Sequence, residues 1–150
     1  MNYRALVIVV LAVAAGVAQN ARAAESDPED LIKYRKNVMK ATAGHMAAAG
    51  AIVQGKVQYK ADLPEHAKAL AALLHDVNGL FPKDSDFGDT KAQPAVWLKN
   101  AEFKKLADDS RAKAEALVKV AGDVKAAGPA FKALADSCKA CHKDFRKEDQ

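Results

Sequence analysis

The chain contains no run of β-branched residues alternating with polar ones at period two, which removes sheet architectures from consideration. It also lacks an apolar run of the ~20 residues that a comfortable membrane helix needs. The longest such run, Ala5–Ala18, falls short. No basic patch is set apart: the 23 Lys+Arg are spread along the chain among 19 Asp+Glu, so the calculated basicity is no nucleic-acid signal. Eight glycines and five prolines are confined mostly to joints. What remains is rich in Ala, Leu, Lys and Glu, and predicts helices throughout.

Residues 1–23 read as a secretory signal peptide. Arg4 supplies the positive start, Ala5–Ala18 the apolar run, and Ala21-Arg22-Ala23 a small-x-small cleavage site. Processing would leave residues 24–150 as one exported domain with no membrane span and a net charge of +2, since Arg4 and Arg22 leave and no acid goes with them. A chain of that length can bury a real core.

The rest divides into four amphipathic helices. The first begins at Ser26-Asp27-Pro28, where Asp27 can cap and Pro28 suits the first helical position. It carries Ile32, Met39, Met46 and Val53 at sevens and ends near Gly55. The second is expected from Asp62-Leu63-Pro64 to Asn78-Gly79, with Leu70, Leu73, Leu74 and Val77 as its stripe. A fourteen-residue connection, 80–93, is long for a bundle and so a candidate functional loop. Pro94 opens the third helix, with Val96, Phe103, Ser110 and Leu117 at sevens, and Gly122 closes it. Gly128-Pro129 is expected to start the fourth, whose one face holds Phe131, Leu134, Ala135, Cys138, Cys141, His142 and Phe145. Together they predict an all-α fold, an antiparallel four-helix bundle with its cofactor between facing helices.

The chemistry is concentrated in Cys138-Lys139-Ala140-Cys141-His142. Two cysteines three apart, followed at once by histidine, form the signature of covalent c-type haem attachment. On a helix, positions i, i+3 and i+4 share a face. Two thioethers can therefore fix the porphyrin rim while the imidazole reaches the iron. A redox disulfide would prefer the start of a helix after a strand, and a structural zinc needs four ligands. The other histidines, His45, His66 and His75, are single and unpaired in the sequence and read as ordinary helix residues.

An exported four-helix chain ending in Cys-Lys-Ala-Cys-His-Lys-Asp-Phe-Arg resembles a class II cytochrome c, the cytochrome c′ family. The likeness covers essentially the whole mature chain, including Tyr34-Arg35-Lys36 and Pro94-Ala95-Val96-Trp97. The motif stands at the end of the chain, whereas class I cytochromes carry it first. The resemblance implies one haem c held by Cys138 and Cys141, with His142 as proximal iron ligand.

It also implies that the residue four after the first-helix arginine faces the iron from the other side. Members with leucine or another non-ligand there are five-coordinate, high-spin and bind small gases, whereas methionine marks the low-spin cytochrome c-556 branch. Here that residue is Met39, and the expectation is a His142/Met39 pair, which favours electron transfer and raises the potential. Spacing alone leaves Met39, Met46 and plain core packing open, because residues seven apart share a face and Met is a common filler. Arg35 is carried over as a residue bordering the haem near a propionate, and Arg146 as a neighbour of the proximal imidazole. Trp97 is assigned to packing.

The function expected is thus a periplasmic electron carrier, not an enzyme, meeting redox protein partners briefly, either as a monomer or as a homodimer through its first two helices. The alternative is a five-coordinate protein that binds NO or CO. A peroxidase is disfavoured because no base is placed near Met39.

Overall fold

The computed structural model describes residues 27–148, so the expected signal peptide and its cleavage site lie outside the described residues. Helix α1 spans Pro28–Val53, α2 Leu63–Leu73, α3 Ala95–Leu98, α4 Asn100–Val120 and α5 Val124–Phe145. Neighbouring pairs α1–α2, α2–α4, α4–α5 and α5–α1 close a ring of four, with α3 as a single turn against α4 and α5. The fold is a four-helix bundle. No helix among the described residues is long and apolar enough to cross a membrane.

The ends of α1 follow their sequence. Asp27 accepts a hydrogen bond from the Glu29 N–H, with Pro28 in the first turn. At the other end Gly55 takes φ +70°, its N–H bonding the Ile52 carbonyl while Lys56 N–H bonds that of Ala51. This paired closure needs a left-handed residue, which glycine supplies without strain. The seven-spaced stripe does not coincide with the buried line: Ile32 is buried, but Met39, Met46 and Val53 are only half-buried. Arg35, Val38, Thr42, Ala49, Gly50 and Ile52 make up the rest of the buried line. Helix α1 has two neighbours, α2 and α5, and so buries an arc wider than one stripe.

Three expected boundaries shift, each for a local reason. Helix α2 stops at Leu73 instead of running to Asn78-Gly79. Asp76 Oδ1 accepts the Gly79 N–H, drawing the chain into a short 3₁₀ turn, Asn78–Leu80. Leu74 and Val77 nevertheless remain in the core. The helix opened by Pro94 breaks at Lys99 (φ −119°, ψ 43°) into α3 and α4, yet Val96, Phe103, Ser110 and Leu117 are all buried across the break. Helix α5 begins at Val124, not at Gly128-Pro129, because Asp123 caps it by accepting the Lys125 N–H. Pro129 then lies inside the helix. The residue before a proline is disfavoured in the helical region partly through its Cβ, and Gly128 has none.

Core side chains come from every element: Ile52 from α1, Leu63 and Leu70 from α2, Val96 from α3, Leu117 from α4 and Leu134 from α5 are all essentially sealed from solvent. An edge-to-face file of Phe81, Phe103 and Phe145 links the 80–93 connection to α4 and α5, with centroids 5.0 and 5.2 Å apart.

Candidate functional site

Helix α5 brings its cysteines to the core. Cys138 and Cys141 are half-buried thiols against the same apolar cluster that receives Met39 and Met46 from neighbouring α1. Leu134 and Phe145 of the same helix face are buried and Phe131 is half-buried, all in or against that cluster. His142 reaches the surface. The burial it does have, and then the positive charge of Arg146, lower its pKa, which favours the form with a lone pair to give.

The alternatives for this motif can be tested on geometry and electrostatics. A redox-active Cys-x-x-Cys depends on a depressed thiol pKa. Here burial raises both thiols, Cys141 to about 11, with Cys138 and Asp144 adding to the effect. A zinc site needs its ligands to converge on one point, and no group of three His, Cys, Asp or Glu does so among the described residues. A porphyrin asks for the opposite arrangement: thiols at its rim and an imidazole at its centre. Two half-buried thiols whose pKa burial raises, followed at once by a histidine on the same helix, fit covalent haem attachment.

Arg35 is the residue whose surroundings the sequence hid. It is 2 % exposed. One guanidinium nitrogen donates to Ser85 Oγ (2.7 Å), another to the Ser85 carbonyl (2.7 Å) and to Thr90 Oγ1 (2.8 Å). The cation also lies over the Phe81 ring (4.9 Å) and near that of Trp97 (5.6 Å). Burial lowers its pKa, opposed by Asp86, but a guanidinium stays charged. The 80–93 connection is therefore wound around one buried cation from α1. Trp97 packs as expected and adds a bond of its own, Nε1 donating to the Pro82 carbonyl at 2.9 Å. Ser85 and Thr90 carried no periodic or motif signal that could have marked them.

Arg146 lies one helical turn beyond His142, its N–H bonding the His142 carbonyl at 3.1 Å. It also pairs with Ala92 in a single antiparallel bridge, flanked by Gln93 N–H to the Phe145 carbonyl and Lys147 N–H to that of Lys91. The bridge ties the end of α5, and with it the attachment motif, to the connection that Arg35 holds. The histidines, by contrast, are not all single: His45 of α1 and His66 of α2 meet at 3.0 Å between their Nδ1 atoms.

A four-helix bundle with two rim thiols and an imidazole on its last helix defines a covalent c-type haem protein. The family described as Cytochrome C′ matches residues 30–146, and the chain belongs to it. It is 39% identical to a cytochrome c′ of Pararhodospirillum photometricum over 127 residues, 81% of this chain and all of that protein. Among solved structures it resembles cytochrome c′ from Rubrivivax gelatinosus (TM-score 0.77, 29% identity, 81% of this chain and 98% of that one). It also resembles a nitric oxide complex of a cytochrome c prime variant from Alcaligenes xylosoxidans (TM-score 0.76, 28% identity, 83% and 99%). The cofactor is one covalent c-type haem. The expected low-spin cytochrome c-556 branch finds no support in these relatives, which are named cytochrome c′.

Proposed function

We propose that the chain is a five-coordinate, exported cytochrome c′ that takes NO or CO on its haem, with electron exchange with periplasmic redox partners as a secondary capacity and no enzymatic turnover. When bound, the haem supplies an iron that can change oxidation state and accept a diatomic ligand. The chain's residues do the rest. Cys138 and Cys141 would hold the rim by thioethers, and His142 would offer its imidazole, whose pKa burial and then the charge of Arg146 lower. Helices α1 and α5 set Met39, Cys138 and Cys141 against one apolar cluster, and Arg35 holds the 80–93 connection through Ser85 and Thr90.

The observation that carries this reading is the chain's likeness to proteins named cytochrome c′. Met39, half-buried among apolar neighbours of the core cluster, is then a packing methionine. The nitric oxide complex solved for a relative of the same fold supports it. On this reading Met39 screens the gas side sterically. Met39→Ala should then leave the haem high-spin and speed CO association severalfold in stopped-flow mixing. Conversion of a low-spin wild type to a high-spin variant would instead establish Met39 as a ligand. That second reading, the His142/Met39 electron carrier, rests on a methionine standing four residues after Arg35.

A further inference from the structure

His45 and His66 lie 21 residues apart in sequence and are brought together only by the packing of α1 on α2. His45 sits in the middle of α1 and His66 in the first turns of α2. Their rings meet edge to face, centroids 5.2 Å apart and planes at 60°, with Nδ1 facing Nδ1 at 3.0 Å. Both are half-buried, so water reaches the pair. Only one of the two nitrogens can carry a hydrogen in this contact, and the other must present a lone pair.

We propose that this pair is a two-imidazole clamp for a divalent first-row metal ion, copper or nickel by preference, bridging α1 and α2. The preference follows from the bite. Metal–imidazole bonds are about 2.0–2.1 Å, and two nitrogens 3.0 Å apart then subtend roughly 95° at the ion. That is the cis angle of square-planar and octahedral sites, the geometries copper(II) and nickel(II) favour with nitrogen ligands. A tetrahedral zinc would need the nitrogens to part to roughly 3.3–3.4 Å.

Capture requires one tautomer change: the ring that donates through Nδ1 moves its hydrogen to Nε2, leaving both Nδ1 lone pairs for the metal and both rings neutral. Rotation about the soft terminal torsion of each histidine turns those lone pairs onto a common point. No third His, Cys, Asp or Glu joins the pair among the described residues, so water completes the coordination and the ion exchanges freely. The clamp is independent of the haem. Met39 is six residues before His45 on α1, whose His45 side meets α2, while the cysteines are on α5.

A bound ion would link two helices and stabilise the fold by mass action. The test is calorimetric titration of the haem-loaded, full mature protein with nickel(II) and copper(II) chloride. The expected result is one ion per chain, a rise in Tm reversed by chelator, and at least a tenfold loss of affinity in His45→Gln and in His66→Gln but not in His75→Gln. A second readout uses the wild-type chain alone. Nickel should shield His45 and His66, but not His75, from diethyl pyrocarbonate modification, mapped by mass spectrometry. Unchanged affinity in both glutamine variants, or equal modification with and without nickel, overturns the clamp.

Discussion

Arg35 and Met39 stand four residues apart on α1, and their environments explain much of how the site is built. Arg35 is a charge inside the protein, and removing a partner from such a group leaves the others buried and unsatisfied. Ser85 Oγ, the Ser85 carbonyl and Thr90 Oγ1 all accept from it. Arg35→Gln should therefore destabilise the haem-loaded protein by about 2–4 kcal/mol in urea unfolding, and Arg35→Lys should recover only part, because an ammonium lacks the fork that reaches both residues. A loss within the ~0.5 kcal/mol of ordinary surface changes would mean the guanidinium is only a surface charge. The sequence marked Arg35 through its likeness to cytochromes c′ but gave no hint of burial, since arginine is mostly exposed. What buries it is a contact fifty residues away. His45 and His66 were illegible for the same reason: each is unremarkable on its own helix, and only the α1–α2 packing sets them face to face.

At the scale of elements, signals that act over three or four residues were legible and those that depend on competition were not. Asp27-Pro28 and Gly55 bounded α1 because caps are local. The buried set Val96, Phe103, Ser110 and Leu117 was legible even though the helix breaks at Lys99, because burial follows the face and not the continuity of hydrogen bonds. The start of α5 was misplaced: Gly128-Pro129 looks like a joint, but the Asp123 cap acts five residues earlier and outweighs it. Asp123→Ala should cost about 1 kcal/mol, read as a lower Tm, and should fray only the first turn of α5 by hydrogen exchange. The i,i+4 pairs Lys104–Asp108, Lys113–Asp109 and Lys132–Asp136 lie on solvated faces, where such pairs contribute a few tenths of a kcal/mol. The Cys138, Cys141 and His142 constellation was the most legible feature of all, since its geometry is contained within a single helical turn.

For the whole molecule, the bundle sets two attachment thiols of α5 and two methionines of α1 against one apolar core, and ties the motif's helix end to the Arg35-held connection through the Ala92–Arg146 bridge. Large apolar side chains at the surface, Tyr34, Tyr59, Phe87 and Leu98, come from different segments of the chain. Removal of the expected signal peptide would leave a net charge of +2. On the proposed reading, both suit brief encounters with redox partners better than a large permanent interface. On the proposed five-coordinate reading, no side chain of α1 ligates the haem. The most direct test of this is the electronic absorption spectrum of the mature, haem-loaded wild type, oxidised and reduced, before and after CO. Broad high-spin bands and immediate CO uptake are predicted. Sharp low-spin bands in the reduced protein, a weak methionine–iron charge-transfer band when oxidised and slow or absent CO uptake would contradict it and return Met39 to the iron.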